Sequence, residues 1–238
     1  MSNIIIVESK NDEAFMKAMI EVLNCDIHVE EPICIENYES LKGLSEEQLK
    51  NTLNELKAQM QKNDDIEKIG IIIDIDNYSE PERLEWVNKC IQQVFKSNKT
   101  LSSTKQFIDI CGDNGTKAQL ACYFTNFEGK GELETLLKGI KARESPHADC
   151  LDSWKTCIES KGKKIKQKDF DKFWVNTYLR FDTCSKQEQK QAGGKCSMSG
   201  FDYVMKHKKD IWDWDNPALD DLKEFLHSFA NIVKFTHN

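Results

Sequence analysis

No apolar run in this sequence approaches the roughly 20 residues that a membrane-spanning helix needs; the longest are of the length of Ile4 to Val7. The chain passes from Met1-Ser2-Asn3 straight into that run, without a basic segment and a longer apolar one behind it, so no secretory leader is expected. A soluble, cytoplasmic protein is the expectation. No two cysteines stand in Cys-x-x-Cys spacing, and the nearest approaches to a metal or redox pattern are His147 with Cys150 and Cys157, and the Cys184/Cys196 pair. The nine cysteines are odd in number and sit in a chain of 238 residues, which favours reduced thiols over a disulfide scaffold. There is no Walker A segment, so any nucleotide-driven switching would have to come from a partner. No internal repeat is visible.

Net charge is −7, which over a uniform surface would repel a polyanion. The charge is not uniform. Residues 155 to 209 hold fourteen Lys/Arg and six Asp/Glu, a local balance of +8. That third reads as an electrostatically different surface, either a guide for nucleic acid or a solvated helix face.

The pattern along the chain alternates strand and helix. Ile4-Ile5-Ile6-Val7 has the unbroken β-branched character of a strand buried on both faces, and it ends at Glu8. Helical spacing follows from Asp12, which is expected to open that helix. Residues 27 to 35 read as extended around Pro32, and a helix on Leu49, Leu53, Leu56 and Met60 follows Ser45. Ile69 to Ile73 predicts another strand, closed by Asp74-Ile75-Asp76, and a helix through Leu84 to Phe95 starts near Pro81. Phe107 to Cys111 and Leu120 to Phe124 predict two more strands, with a helix on Leu133 to Ile140. The expected architecture is α/β, a mostly parallel sheet flanked by helices over residues 1–144, with a helical, locally basic C-terminal extension over 145–238 packed on it.

In open parallel sheets, ligands bind beyond the carboxyl ends of the strands, where Glu8 and Asp74 lie. If the chain stays extended through Asp74-Ile75-Asp76, both aspartates project to one side. Two carboxylates about 4 Å apart repel by about 4 kcal/mol at an effective dielectric near 20, so such a cluster calls for a cation. Mg²⁺ meets that need with one or two carboxylates plus water and leaves positions for phosphate oxygens. The competing reading is that strand-end acids merely cap helices or solvate loops.

Ile4-Ile5-Ile6-Val7-Glu8 with Asp12, and Ile71-Ile72-Ile73-Asp74-Ile75-Asp76, resemble the two motifs of the Toprim domain, a Rossmann-like fold shared by topoisomerases, bacterial primases, recombination proteins and OLD-family nucleases. Gly131-Glu132-Leu133-Glu134 and the ending Trp214-Asp215-Asn216-Pro217 are similar to a compact Toprim-like family. The resemblance implies Glu8 as general acid/base and ligand, and Asp74 and Asp76 as ligands of Mg²⁺ or Mn²⁺. Glu134 would be a further acid or simply a helix start, and Asp12 a cap.

The activity implied is nuclease cleavage of RNA or DNA, with a link to antiphage defence. Lys10, Lys161, Lys163, Lys164 and Lys166 are candidate phosphate contacts. The alternative is a non-catalytic subunit that docks to an ABC- or AAA-type ATPase. Phe170, Phe173, Trp174 and Tyr178, at helical spacing, are expected in the core.

Overall fold

A computed structural model describes residues 2–34, 44–62 and 66–229. In chain order the elements are β1 (Ser2–Val7), α1 (Lys10–Leu23), β2 (His28–Val29), α2 (Glu46–Lys62), β3 (Ile66–Asp74), α3 (Glu80–Phe95), β4 (Ile108–Cys111) and β5 (Lys117–Thr125). Then come α4 (Leu133–Gly139), α5 (Pro146–Ser160), α6 (Gln167–Thr177), α7 (Phe201–His207) and α8 (Asp220–Phe229). Each expected strand is present, although the second is only two residues long, and residue 35 lies outside the described residues. No helix among the described residues is long and apolar enough to cross a membrane.

The chain forms two compact units, one of Met1–Ile73, Tyr78–Phe124 and Asp220–Asn238, the other of Asp74–Asn77 and Thr125–Leu219. They do not follow the linear boundary expected near residue 144. The reason lies in packing: α8, expected in the extension, is a component of the sheet unit. Its Phe225 meets Tyr123 and its Phe229 meets Phe107, ring to ring at 5.5 and 5.1 Å. A Cβ on Gly70 of β3 would come within 2.9 Å of the Phe229 ring, so only glycine lets that ring lie so close to the strand. Lys68 Nζ donates to the Ser228 carbonyl at 2.7 Å, and Lys105 reaches Asp221 and Glu224.

The sheet of the first unit has the order β2-β1-β3-β5-β4. It is mostly parallel: β1 runs parallel to both β2 and β3, with Val7 opposite Ile72, while β4 and β5 form an antiparallel hairpin. Ile5, Ile6 and Val7 are wholly buried, as a two-sided parallel strand requires. From β1 the chain goes first to one side, through α1 to β2, and then through α2 to β3 on the other side. The reversal makes the gap between β1 and β3 a topological switch point, the usual place for a ligand crevice in such sheets.

Local signals set the helix starts. Ser9, not Asp12, is the N-cap of α1; Asp12 is its reciprocal partner, and its Oδ2 accepts from the Ser9 amide at 2.9 Å and the Ser9 hydroxyl at 2.6 Å. The same exchange joins Ser45 with Gln48 and Ser79 with Glu82.

The second unit is helical. Its α6 packs against both α4 and α5 and runs on into a wider turn over Tyr178–Asp182. Phe170, Trp174 and Tyr178 are buried there, as expected, but Phe173 is 45% exposed. The Lys/Gln/Gly/Ser-rich stretch after residue 184 is not irregular: it winds through short turns, Glu188–Gln191, Ala192–Lys195 and Met198–Gly200.

Candidate active site

Glu8 follows β1 and is 7% exposed, too little for water to carry its charge. Its counter-ion is Arg83, whose guanidinium lies 3.8 Å from Glu8 Oε2 and is itself 2% exposed. Arg83 sits in the first turns of α3 and is clamped between the rings of Trp86 and Tyr78, at 4.6 and 5.1 Å. Sequence reasoning missed this residue. Its one signal is position, an arginine soon after a strand that ends in acids. Lys10 is exposed at the start of α1.

The other predicted acids belong to the second unit. Asp74 closes β3, is buried, and accepts a hydrogen bond at 3.1 Å from the Leu133 amide at the start of α4. Asp76 does not continue an extended chain. Its φ is +55°, and its amide and carbonyl exchange hydrogen bonds of 3.0 and 3.2 Å with Gly131. The expectation of two aspartates projecting alike from a strand is therefore corrected: pairing to a loop 55 residues further on turns the backbone left-handed at Asp76. Gly131, at φ +92°, is the other half of that clasp, and a Cβ there would overlap Thr135 Oγ1 at 2.4 Å.

That clasp delivers the Gly-Glu-Leu-Glu segment beside Asp74. Glu132, the N-cap of α4, and Glu134, in its first turn, are both buried. Acids there are favoured by the helix dipole, but three carboxylates need more than a dipole. Lys172 of α6 supplies it, with Nζ 3.0 Å from Glu132 Oε2, and Lys168 approaches Glu132 at 3.8 Å. Burial alone would lower the Lys172 pKa, but the charges of Glu134 and Glu132, with Asp74 beyond them, outweigh it and push the ammonium up to about 12. Around this core, Asp171 accepts from Thr135 Oγ1 at 3.0 Å and from Gln167 at 2.9 Å. Glu132 and Lys172 were not anticipated. Glu132 lay inside the recognised motif, whereas nothing near Lys172 in sequence marks it.

Lys161, Lys163, Lys164 and Lys166 are all exposed on the connection between α5 and α6. They stand together on the second unit, away from any ion pair among the described residues.

The cysteine expectations are corrected in one respect. Cys184 and Cys196 are joined in a disulfide, because the turn over Ala192–Lys195 brings their Cα atoms to 5.7 Å. His147 is engaged with Asp182 at 2.7 Å, and Cys150 and Cys157 are exposed thiols. Among the described residues, the one trio of potential ligand atoms gathered within 4.8 Å is Cys184, Glu188 and Cys196, and its two sulfurs are spent on each other.

The profile of a family described as "Protein of unknown function (DUF3226)" matches residues 2–231, nearly the whole chain. The chain belongs to this family. No curated protein and no solved structure matches it. The matched span takes in Glu8, Arg83, Asp74, the Gly131 clasp and Lys172 alike, so both units are covered by one family.

Proposed function

We propose that this chain is a Mg²⁺-dependent nuclease of the Toprim type, cutting phosphodiester bonds of RNA or DNA in the cytoplasm. The observation that carries the reading is the pair of buried carboxylates, Glu8 and Asp74, that close β1 and β3, the parallel strands bordering the switch point. The donor set suits a hard cation: every candidate ligand atom is a carboxylate oxygen, and Asp74, Glu132 and Glu134 gather around Lys172 in the second unit. Asp74, Asp76 and Glu134, all of the second unit, would hold the ion.

A divalent cation, when bound, supplies polarisation of a phosphate and a lowered pKa for water. Glu8 takes a proton from the attacking water as its oxygen bonds to phosphorus and the bond to the leaving sugar oxygen breaks, that oxygen taking its proton from solvent; Arg83 fixes the Glu8 carboxylate. Lys10, Lys161, Lys163, Lys164 and Lys166 draw the polyanion in by charge.

A second reading has an observation of its own. Glu8 and the Asp74 cluster already have cations from the chain, Arg83 and Lys172, as an acid site would if it had become structural. In that case the protein is a regulatory subunit docking to an ABC- or AAA-type ATPase.

Titration calorimetry with Mg²⁺ and Mn²⁺ on the wild type and on a Glu8→Ala/Asp74→Ala/Asp76→Ala variant, with cleavage of tRNA and of single- and double-stranded DNA assayed alongside, separates the two. Metal binding and cleavage that disappear together in the variant support the nuclease. A folded wild type that binds neither ion leaves the docking subunit as the account.

A further inference from the structure

The second unit carries a groove that the acid site does not use. Two adjoining cavities of about 350 and 430 Å³ share Ala192 and Gly193 as a common wall. The first is lined by Phe173, Asn176, Arg180 and Phe181, the second by Lys190, Lys195 and Tyr203. Three cations and three aromatic rings line the pair, and no acid does, in a chain whose net charge is −7.

Of the acids nearest in sequence, Asp182 binds His147 and the amide of Ala148, Glu188 binds Ser185 and Lys208, and Asp202, beside Tyr203, is exposed but lines neither cavity. Phe173 and Phe181 are 45% and 61% exposed, the largest exposures of any phenylalanine rings described, and Trp154 extends the apolar face by meeting Phe173 edge-on at 5.4 Å. The floor between the cavities is bare backbone, since a side chain added at Gly193 or Gly194 would meet nothing within 4 Å.

Phe181 meets the His147 ring at 5.8 Å and Lys195 lies over the Tyr203 ring at 5.2 Å, yet both phenylalanines stay largely exposed, and none of the three cations has an ion-pair partner among the described residues; rings and cations so placed suit an anion with flat groups repeating along the same track. We infer that this groove binds single-stranded nucleic acid, with bases stacked on Phe173 and Phe181 and phosphates on Arg180, Lys190 and Lys195. A duplex keeps its bases stacked on one another and could use only the charges. The inference rests on the nucleic-acid reading above and narrows its substrate to a single strand.

The test is fluorescence anisotropy with labelled single-stranded and duplex oligonucleotides of about 12 nucleotides, in EDTA, across about 50 to 300 mM salt. Phe173→Ala/Phe181→Ala is expected to weaken single-strand binding about ten-fold or more with its salt dependence unchanged, since stacking contributes about 1–3 kcal/mol per base. Arg180→Gln/Lys190→Gln/Lys195→Gln should flatten the salt slope by about 2, at roughly 0.7 per phosphate contact. All five residues lie at the surface, and circular dichroism confirms that the variants fold.

Failure of the folded wild type to bind, equal or tighter binding of duplex, or variants that bind as the wild type does would each overturn the inference. Because EDTA removes the need for cleavage, the two readings fail separately. Single-strand binding lost in the aromatic variant, without any metal-dependent cleavage by the wild type, supports the groove and removes the nuclease. Cleavage with no effect of the groove variants does the reverse.

Discussion

The two units each bury acid charge, and they balance it differently. In the sheet unit one glutamate meets one arginine, and that arginine is fixed by two aromatic faces. In the helical unit three carboxylates crowd around a half-exposed lysine on a flexible stem. A guanidinium so held stays charged and in place, whereas an ammonium can swing out into water when a better cation arrives. On the proposed reading, Glu8 is the fixed proton acceptor and the Asp74 cluster the exchangeable cation seat.

Removing the acid itself should have the largest effect. Glu8→Gln keeps the shape and loses the proton acceptor, and cleavage measured on a nucleic-acid substrate should drop about 10²- to 10⁴-fold while metal binding to the Asp74 cluster persists. If cleavage survives, Glu8 is a structural partner of Arg83 and nothing more. Next comes Arg83→Leu, which takes a guanidinium away from a buried carboxylate. Denaturant unfolding should show a loss of about 3 kcal/mol, and Arg83→Lys should restore only part of it because an ammonium does not fill the slot between two rings.

Lys172→Met should cost less, about 1–2 kcal/mol, since its site is partly open to water. The informative readout is rescue: Mg²⁺ should raise the melting temperature of Lys172→Met more than that of the wild type, and equal shifts would break the idea of an exchangeable seat. The pH dependence follows from the raised pKa. The folded ammonium keeps its proton to about 12, above the roughly 10.4 of an unfolded lysine, so its contribution is whole below that lower value. It is lost as pH rises through about 12, and Lys172→Met should flatten that alkaline limb of the stability curve. The smallest effect belongs to Ser9→Ala, which removes the α1 cap beside Glu8 for about 1 kcal/mol with cleavage per folded molecule unchanged.

What could be read from the sequence was what neighbours in sequence decide. β1 and β3 announce themselves by continuous β-branched residues, and Glu8 and Asp74 by standing at their ends. Helix starts were legible to within a few residues, and the error at Asp12 came from reading one half of a reciprocal cap. Asp76 was misread because its conformation is imposed by Gly131, a partner that no local pattern reveals. Arg83 and Lys172 escaped for the same reason. Each is chosen by the charge it meets in space, and a single arginine or lysine on an amphipathic helix looks like any other. The placement of α8 with the sheet could not be foreseen either, because its apolar stripe says that it is covered and not by what.

That placement bears on how the protein is made. A ribosome releases β1, β3 and β5 long before it releases Asp220 to Phe229, yet the rings of Phe225 and Phe229 cover Tyr123, Phe107 and the strand at Gly70. Until those last turns emerge, the nascent sheet presents a sticky face, while the whole of Thr125–Leu219 has already left the tunnel and is free to fold. Synthesis order and assembly order are therefore opposed: the sheet unit, begun first, is completed only after the helical unit has been made.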